Sequence, residues 1–409
     1  RFDFTNKKIS QAGGVFFKTE PKSAEVYVNG KFIKKTDPFF GSVLIKNLLP
    51  GEYDVKLELP EYATWQKKLT VNGGSSTYAE DIYLFKNDLP LLLTEGEISQ
   101  ITLSPDKTLL ATGKKEAVYI TNLASEEIKK FPASAQTMNW SPAGEKILNG
   151  KTIINLTNGE QLDLNKYAGS VAENFKWGEN GNEIYHVEKS PNGYLIKIFD
   201  LDKKTSGVAL RSAEKITDFS VKDGDIFYTS GPRDKIKLKI AGLDSGETKW
   251  EIDLPSFSEY QFINSGHRLI NLYDQNHQIL YLINPFSYFP LEETVNNIKG
   301  GEWINADKLL YYNDFEIWIN DIKNKQKTLL TRLSTPIEKT FWHPSDNYIV
   351  YSTINTINTM ELDEREKRIT TELIKLDKIS YPIMNKKGDI LYFYAQIGNQ
   401  RGLYKLTIQ

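Results

Sequence analysis

The sequence predicts an all-β protein in which a small β-sandwich precedes a β-propeller, and three observations lead to this prediction. Apolar and polar residues alternate over four to eight positions in almost every segment, as in residues 24–28 (AEVYV) and 195–199 (LIKIF). This period is that of half-buried strands. Turns rich in Asp, Asn, Gly and Pro separate the segments. From residue 88 onward, a pattern of short strands recurs at a nearly constant interval, which is typical of propellers.

The composition limits the classes of function. The chain of 409 residues is 40% hydrophobic, so it can bury a sizeable core, and its net charge of −2 argues against a general nucleic-acid binder. It has no cysteine, which excludes disulfides, thiolate nucleophiles and Cys-rich metal sites. No Lys/Arg cluster along the sequence is dense enough to predict binding to anionic lipid.

The sequence also bears on the relation to a membrane. No stretch of 18 apolar residues occurs, so insertion of this chain into a membrane is not expected. The chain begins at Arg1 rather than Met. We therefore expect a mature or trimmed product from which an upstream signal or anchor has been removed.

Residues 1–87 form the predicted sandwich module, with five to seven short strands. Five of these strands are expected at residues 14–18, 24–28, 53–57, 65–71 and 77–84. Asn29-Gly30 is a strong signal for a two-residue hairpin, because both central positions of that turn need a positive φ. Alternation places Tyr53, Val55 and Leu57 on one face, which is expected to point into the core.

This module resembles a known family. It resembles the PEGA domain, a bacterial surface module of β-sandwich type, in the order of its turn, strand and aromatic positions. The matching residues are Pro21, residues 24–31 (AEVYVNGK), residues 49–55 (LPGEYDV), Tyr62 and Trp65. The resemblance covers residues 14–84 and departs from the family at Tyr62-Ala63, where Gly-Tyr is common. It implies a spacer or binding module, often near a membrane anchor, and implies no catalysis. Together with the start at Arg1, the resemblance leads us to expect a missing N-terminal segment with a membrane anchor and a location outside the cytoplasm, at the cell surface.

The second module, residues 88–409, repeats a short strand, a turn and a strongly apolar strand. An anchor residue at the end of the first strand recurs at intervals of 37 to 44 residues, at Leu103, Trp140, Trp177, Val221, Phe262, Trp303, Trp342 and Ile383. About four strands fit each interval, so eight anchors predict an eight-bladed propeller. The fourth unit lacks the Trp and the seventh is irregular after Ser352, so seven blades is the alternative.

The two ends of this module are predicted to meet. The last repeat stops after its third strand, and an orphan strand at residues 90–94 (PLLLT) precedes the first repeat. The two are expected to complete one blade and so to remove its free edge. The turns SPDK, WSPAG and WHPSD make the module similar to TolB-type and WD-like propellers. That resemblance implies the fold and says little about function.

No residue pattern predicts catalysis, a metal site or a cofactor. The four histidines, His186, His267, His277 and His343, lie in different repeats or at different strand levels without metal-ligand spacing. Neither a Gly-x-Ser-x-Gly elbow nor a calcium loop occurs. Acidic clusters at 200–202, 292–293 and 361–364 fall at expected turns, where solvated carboxylates are ordinary. A glycosidase-like pair facing the propeller channel stays open as an alternative.

Binding residues are expected in the loops that join second and third strands, where propellers usually bind. The candidates are Lys114, Arg233, Asp234, Tyr273, Asp274, Asn276, Asp314, Phe315, Gln396 and Arg401. A solvated loop rim without a ligand would have the same composition. Trp140, Trp177, Trp303 and Trp342 share one repeat position, and we expect them to pack blade against blade rather than to stack on sugars.

The sequence therefore predicts a non-enzymatic, membrane-anchored scaffold of the bacterial cell envelope, in which the sandwich module presents the propeller. The propeller would bind an envelope or extracellular protein, a peptide or a glycan, and no nucleic acid. One alternative is a carbohydrate-active hydrolase or lyase with its site in the propeller channel. Another is a docking platform within an envelope complex.

Overall fold

A computed structural model of the protein describes residues 11–169, 171–263, 266–284 and 286–409, and at the N-terminus only the backbone of residues 2–3 and 8–9. Apart from one 3-10 turn at Leu164–Lys166, every regular element in this part of the chain is a β-strand. The predicted all-β class is confirmed.

Residues 13–83 fold into the predicted sandwich. Two short strands, β1 (Phe2–Asp3) and β2 (Lys8–Ile9), precede it and pair with each other. One sheet has the strand order β6-β3-β9 and the other β5-β4-β7-β8. The strands are β3 (Gly13–Glu20), β4 (Glu25–Val28), β5 (Lys31–Lys35), β6 (Ser42–Leu48), β7 (Gly51–Glu58), β8 (Trp65–Val71) and β9 (Ser76–Tyr83).

Local sequence explains these strands and their turns. Asn29 and Gly30 have φ angles of 49° and 75°, so the predicted hairpin turn joins β4 to β5. Val55 and Leu57 are fully buried in the sandwich core, and Tyr53 packs against it. Strands β5 and β6 were not among the expected segments. Every residue of β5 (KFIKK) is exposed, so this strand lacks the alternation by which the others are recognised.

Eight further four-stranded sheets occur in the described residues, and neighbouring strands of each sheet follow one another in sequence, with one exception described below. In order they consist of β11–β14 (Gln100–Leu103, Leu109–Gly113, Val118–Asn122, Ile128–Phe131), β15–β18 (Met138–Trp140, Lys146–Asn149, Thr152–Asn155, Gln161–Asp163), β19–β22 (Glu173–Trp177, Glu183–Ser190, Gly193–Asp200, Thr205–Ser212), β23–β26 (Ile216–Lys222, Asp225–Ser230, Lys237–Gly242, Thr248–Asp253), β27–β30 (Tyr260–Ile263, Ile270–Asp274, Ile279–Ile283, Leu291–Val295), β31–β34 (Gly300–Trp303, Lys308–Tyr312, Glu316–Asp321, Gln326–Arg332), β35–β38 (Ile337–Trp342, Tyr348–Thr353, Thr356–Glu361, Thr370–Lys375), and β39–β41 (Ile379–Met384, Ile390–Ile397, Gln400–Thr407) with β10 (Leu91–Glu95).

The predicted repeat coincides with these sheets. Each anchor residue lies in the first strand of its own sheet, from Leu103 in β11 to Ile383 in β39. The expected irregularity after Ser352 was wrong, because β36 and β37 form a regular hairpin there. Its short turn contains neither Gly nor Pro and is held by the Thr353 hydroxyl, which bonds to the Thr356 hydroxyl at 2.8 Å. The number of blades stays a prediction.

The exception is the last sheet, which takes one strand from far upstream in the chain. Strand β10 pairs antiparallel with β41, with Leu91 opposite Lys405 and Glu95 opposite Gly402. The strand order is β10-β41-β40-β39. The predicted pairing of the orphan strand with the last repeat is therefore confirmed.

Contacts divide the chain into two compact units. The first comprises residues 1–96, 314–316 and 330–409, and the second comprises residues 97–313 and 317–329. The first unit thus holds the sandwich, the β35–β38 sheet and the β10/β39–β41 sheet, and the second holds the sheets from β11 to β30. The predicted boundary between residues 87 and 88 stays a prediction.

In the first unit, a buried ion pair links the sandwich to the β35–β38 sheet. The Lys67 side chain of β8 has no exposed surface; it pairs with Glu361 at the end of β37 and, at 3.4 Å, with Asp363 Oδ2. Glu361 also accepts hydrogen bonds from Trp65 Nε1 at 2.9 Å and from the backbone N–H of Ile369 at 3.0 Å. Each buried charge therefore has a counter-charge and further hydrogen-bond partners.

In the second unit, tryptophans at the anchor position join adjacent sheets. Trp177 Nε1 donates to the carbonyl of Asn139, in the preceding sheet, at 3.0 Å. The Trp303 indole stacks on the His267 imidazole of the preceding sheet, with ring centroids 3.5 Å apart. Both indoles are half-buried. For these two residues, the predicted packing between sheets is confirmed.

Candidate binding site

A cavity of about 760 Å³ lies in the second unit, where the first strands of three consecutive sheets begin. Strands β19, β23 and β27 contribute residues 173–174, 216–218 and 260–261, and the segments just before β23 and β27 contribute residues 214–215 and 258–259. The turn after β24 adds residues 231–233. This volume lies within the range of sites that hold a ligand of several residues or a small molecule.

The cavity has an apolar wall. The side chains of Val187, Ile216 and Ile236 line it and are themselves buried. The ring of Tyr260 adds to this wall, while its hydroxyl donates to the Pro255 carbonyl at 2.9 Å. Burial raises the pKa of Tyr260, so its hydroxyl stays protonated. An apolar side chain of a ligand that packs against this wall would remove water both from its own surface and from the wall, which favours binding.

A polar network around Asp218 joins the three first strands behind the cavity. Its carboxylate accepts hydrogen bonds from Asn174 Nδ2 at 2.7 Å and from the backbone N–H of Phe262 at 2.6 Å, and it pairs with Lys176 Nζ at 2.5 Å. Burial lowers the pKa of Lys176, although the neighbouring carboxylate of Asp218 opposes this shift. Because Asp218 is occupied by three partners, it positions the strands and is a poor candidate for a free acid or base.

Charged residues surround the cavity opening. Glu214 pairs with Lys239 at 2.8 Å, and this bond holds the pKa of the Glu214 carboxyl below its usual value. Arg233 pairs with Glu259 at 3.3 Å. Within the described residues, the exposed side chains of Glu173 and Lys215 have no ionic or hydrogen-bond partner. These two charges are available to a ligand.

Ser258, Asp274 and His277 form a cluster beside the cavity that is not a catalytic triad. Ser258 Oγ and Asp274 Oδ2 both approach the same ring nitrogen, His277 Nδ1, at 2.8 and 2.9 Å. A proton relay needs the hydroxyl and the carboxylate on different ring nitrogens. Burial disfavours the charged form of Asp274, but hydrogen bonds from His277 and Ser258 outweigh it and hold the pKa of this carboxyl below its usual value.

Some candidate residues from the sequence lie at this cavity. Arg233 lines it, and Asn276 supports it because its side-chain oxygen accepts a hydrogen bond from the backbone N–H of Glu259 at 3.1 Å. Asp274 is fully buried behind Ser258. Two others make structural contacts nearby: Tyr273 donates to the Ile298 carbonyl at 3.0 Å, and the Asp234 carbonyl accepts from Ser256 Oγ at 2.8 Å.

The other candidates lie elsewhere. Lys114 is in the turn after β12, with its ammonium 4.9 Å from the centroid of the Tyr119 ring. Asp314, Phe315, Gln396 and Arg401 belong to the first compact unit. Arg401 donates to Gln396 Oε1 at 3.0 Å across a hairpin. These residues stay candidates, but the structure does not add them to the cavity.

Several lining residues were missed by the sequence analysis. Glu173, Lys215, Ser258 and Gln261 lie just before or within first strands, whereas candidates were sought only in loops between second and third strands. The segment before each anchor strand recurs with the repeat, so its position was available as a signal. No sequence signal showed which of the eight segments would enclose a cavity.

The histidines and acidic clusters show no metal-binding arrangement. No group of three or more His, Asp or Glu in the described part of the chain is placed to hold a metal ion. His186 stacks on Phe175 with centroids 5.0 Å apart, and burial lowers its pKa. His343 is buried in its turn, where Nε2 lies 3.2 Å from the Gly388 carbonyl. Asp200 accepts the backbone N–H groups of Asp202 and Lys203 within a hairpin turn.

Comparison with known proteins identifies the two modules. Residues 12–84 match the family model of the PEGA domain, which confirms the resemblance seen in the sequence. The comparison with curated proteins finds no match. In the part of the chain that the structure describes, no helix has the length and hydropathy to cross a membrane.

The solved structures identify the remaining sheets as a β-propeller. The Dos1 propeller is similar, with a TM-score of 0.54 at 12% identity, over 80% of this chain and 96% of that one. A structure described as the eukaryotic initiation factor has a TM-score of 0.52 at 12% identity, over 79% of this chain and 88% of that one. The β-propeller domain of Cps50 (Swd1) from Myceliophteria thermophila matches with a TM-score of 0.46 at 15% identity, over 68% of this chain and 100% of that one. At these identities the first two likenesses show the fold alone.

Proposed function

We propose that this protein is a non-enzymatic binding scaffold whose propeller cavity holds an extended peptide segment of a partner protein. One observation carries the proposal: a cavity of about 760 Å³ with an apolar wall, at the first strands of three consecutive sheets. Sites of this size that combine an apolar wall with a few polar groups are typical ligand sites. The PEGA domain and the propeller fold are both compatible with a scaffold role.

The chemistry around the opening favours a peptide. Glu173 and Lys215 offer one free charge of each sign, and Gln261 and Gln275 offer amide groups that both donate and accept hydrogen bonds. A peptide supplies matching backbone groups and charged side chains, and the apolar wall accommodates one apolar side chain. The Asp218 network leaves no carboxylate at the back of the cavity free for acid–base catalysis.

We also propose that the protein acts outside the cytoplasm, as part of the cell envelope. The match of residues 12–84 to the PEGA domain supports this location. The absence of cysteine from all 409 residues is compatible with it, since such a chain folds without oxidation.

A peptide-library screen on the full chain tests the binding proposal. Peptides that bind would be titrated by calorimetry and then checked for cleavage by mass spectrometry. In the double variant Glu173→Lys/Lys215→Glu, we expect the affinity for a selected peptide to fall at least about tenfold, because both free charges at the opening are reversed.

The matched control reverses a similar exposed pair away from the cavity, Glu127→Lys/Lys129→Glu, and should leave the affinity unchanged. The proposal is wrong if both double variants bind the selected peptides as the wild type does. Cleavage of the peptides would instead indicate an enzyme, and saturable binding to a glycan array without peptide binding would indicate a carbohydrate ligand.

A further inference from the structure

Two phenylalanine rings stand exposed on the sandwich, in the loop between β5 and β6. Phe39 is 77% exposed and Phe40 is 74% exposed. They follow Asp37-Pro38 and precede Gly41. Adjacent aromatic rings with this exposure form an apolar patch that water hydrates unfavourably, and such patches commonly mark interaction surfaces.

This loop is held in place by its own hydrogen bonds. Asp37 Oδ1 accepts the backbone N–H groups of both Phe39 and Phe40, each at 2.8 Å. The backbone N–H of Gly41 donates to the Asp37 carbonyl at 2.8 Å. The preceding residue, Thr36, is buried, and its hydroxyl accepts from the backbone N–H of Ala24 at 2.9 Å. The two rings are therefore presented by a built turn rather than by a loose segment.

Three lysines lie near the loop by contact, by strand register or by position along the chain. Lys18 lies opposite Ser42 in the register of β3 and β6, and Lys34 lies three residues before Asp37. The Lys22 side chain lies against Gly41, with its Cγ 3.2 Å from the position of a Cβ there. All three lysines are exposed and have no ionic partner among the described residues. Their sequence separation explains why no basic cluster was recognised in the sequence.

We propose that this surface, Phe39 and Phe40 with Lys18, Lys22 and Lys34, docks on a membrane that contains anionic lipid. Aromatic rings enter the boundary between headgroups and acyl chains, and nearby lysines are attracted to anionic headgroups. The pocket of a partner protein would bury the rings equally well, but it would not account for three exposed lysines near this loop that have no ionic partner among the described residues. The contact is peripheral and requires no spanning segment.

Flotation with vesicles tests this proposal on the full chain. The wild-type protein should float with vesicles of equal parts phosphatidylglycerol and phosphatidylcholine at about 50 mM salt. Much less of the protein should float with vesicles of phosphatidylcholine alone. In Phe39→Ser/Phe40→Ser, we expect the partition coefficient to fall at least about tenfold, because both inserted rings are removed. In Lys18→Glu/Lys22→Glu/Lys34→Glu, the partition coefficient should fall by a similar factor and should no longer depend on the salt concentration.

The matched control is Phe286→Ser/Phe289→Ser, since both of these rings are 76% exposed but are followed by Glu292 and Glu293 rather than surrounded by lysines. Its partition should equal that of the wild type, and all variants should keep the wild-type melting temperature. Failure of the wild type to float with anionic vesicles would overturn the proposal and leave a protein pocket as the occupant. Equal flotation with both lipid compositions, or unchanged flotation of the Phe39/Phe40 variant, would also overturn it. Peptide binding at the propeller cavity is a separate readout and should be unaffected by these variants.

Discussion

At the residue scale, the buried Lys67–Glu361 pair is expected to be highly sensitive to substitution. Lys67→Met would leave Glu361 buried with its hydrogen bonds from Trp65 and Ile369 but without a cation. We expect the free energy of unfolding to fall by about 3–5 kcal/mol. Urea unfolding followed by tryptophan fluorescence measures the change.

The double variant Lys67→Met/Glu361→Met is the control for this prediction. Because it removes both charges and keeps similar volume, we expect it to recover part of the lost stability; recovery stays incomplete because Trp65 Nε1 and the Ile369 N–H lose their acceptor. A single variant within about 1 kcal/mol of the wild type would show that the pair is not electrostatically isolated from water.

Buried histidines give a pH dependence with a definite sign. Burial lowers the pKa of His343, His186 and His267 in the folded protein, whereas the unfolded chain has histidine pKa values near about 6.5. Below that pH the unfolded state binds more protons, so stability is complete above about pH 6.5 and is lost as the pH falls. We expect the melting temperature to decrease from pH 7.5 to pH 5.5.

His343→Gln isolates one of these groups, because the amide can still donate to the Gly388 carbonyl. We expect this substitution to reduce the change in the free energy of unfolding between pH 7.5 and pH 5.5 by about 1 kcal/mol. The same slope in the variant and the wild type would contradict a role for His343.

At the scale of single elements, the pairing of β10 with β41 depends on Gly402. A Cβ at this position would lie 2.1 Å from the Thr94 carbonyl oxygen, so Gly402→Ala must displace β10. We expect a loss of about 2–4 kcal/mol in the free energy of unfolding and faster amide exchange in residues 91–95. Gly207→Ala, whose Cβ would meet only the Ile198 Cγ2 at 3.2 Å, is the control and should change stability by less than about 1 kcal/mol.

Elements also show what was predictable from the sequence. Alternation and turn chemistry located most strands, because a half-buried strand keeps its period of two wherever one face meets the core. Strand β5 (KFIKK) was missed because both its faces are exposed. The hairpin after Thr353 was missed because a hydrogen bond between hydroxyl groups holds its turn in place of the usual Gly or Pro. The cavity was only partly predictable, since Glu173 and Ser258 are brought together by packing of successive sheets.

At the scale of the whole molecule, the predicted boundary between residues 87 and 88 can be tested with the fragment 88–409. This fragment lacks Trp65, Lys67 and Phe85, which contact Glu361 or pack in the core of the last sheets. We expect it to fold but to melt at least about 5 °C below the full chain. Glu361→Gln should stabilise the fragment and destabilise the full chain, and equal melting temperatures of fragment and full chain would contradict the prediction.

The distant partners of β10 and β8 also constrain the order of events during synthesis. Trp65 and Glu361 are 296 residues apart, and Leu91 cannot pair with Lys405 until that residue has been synthesised. Sheets built from consecutive strands can form while the ribosome is still translating, because each needs only a short contiguous stretch. The last sheet closes only after Lys405 has left the ribosome, and until then β10 presents an unpaired edge to other nascent chains. Substitutions that delay this final step are therefore expected to reduce the yield of folded protein more than its equilibrium stability.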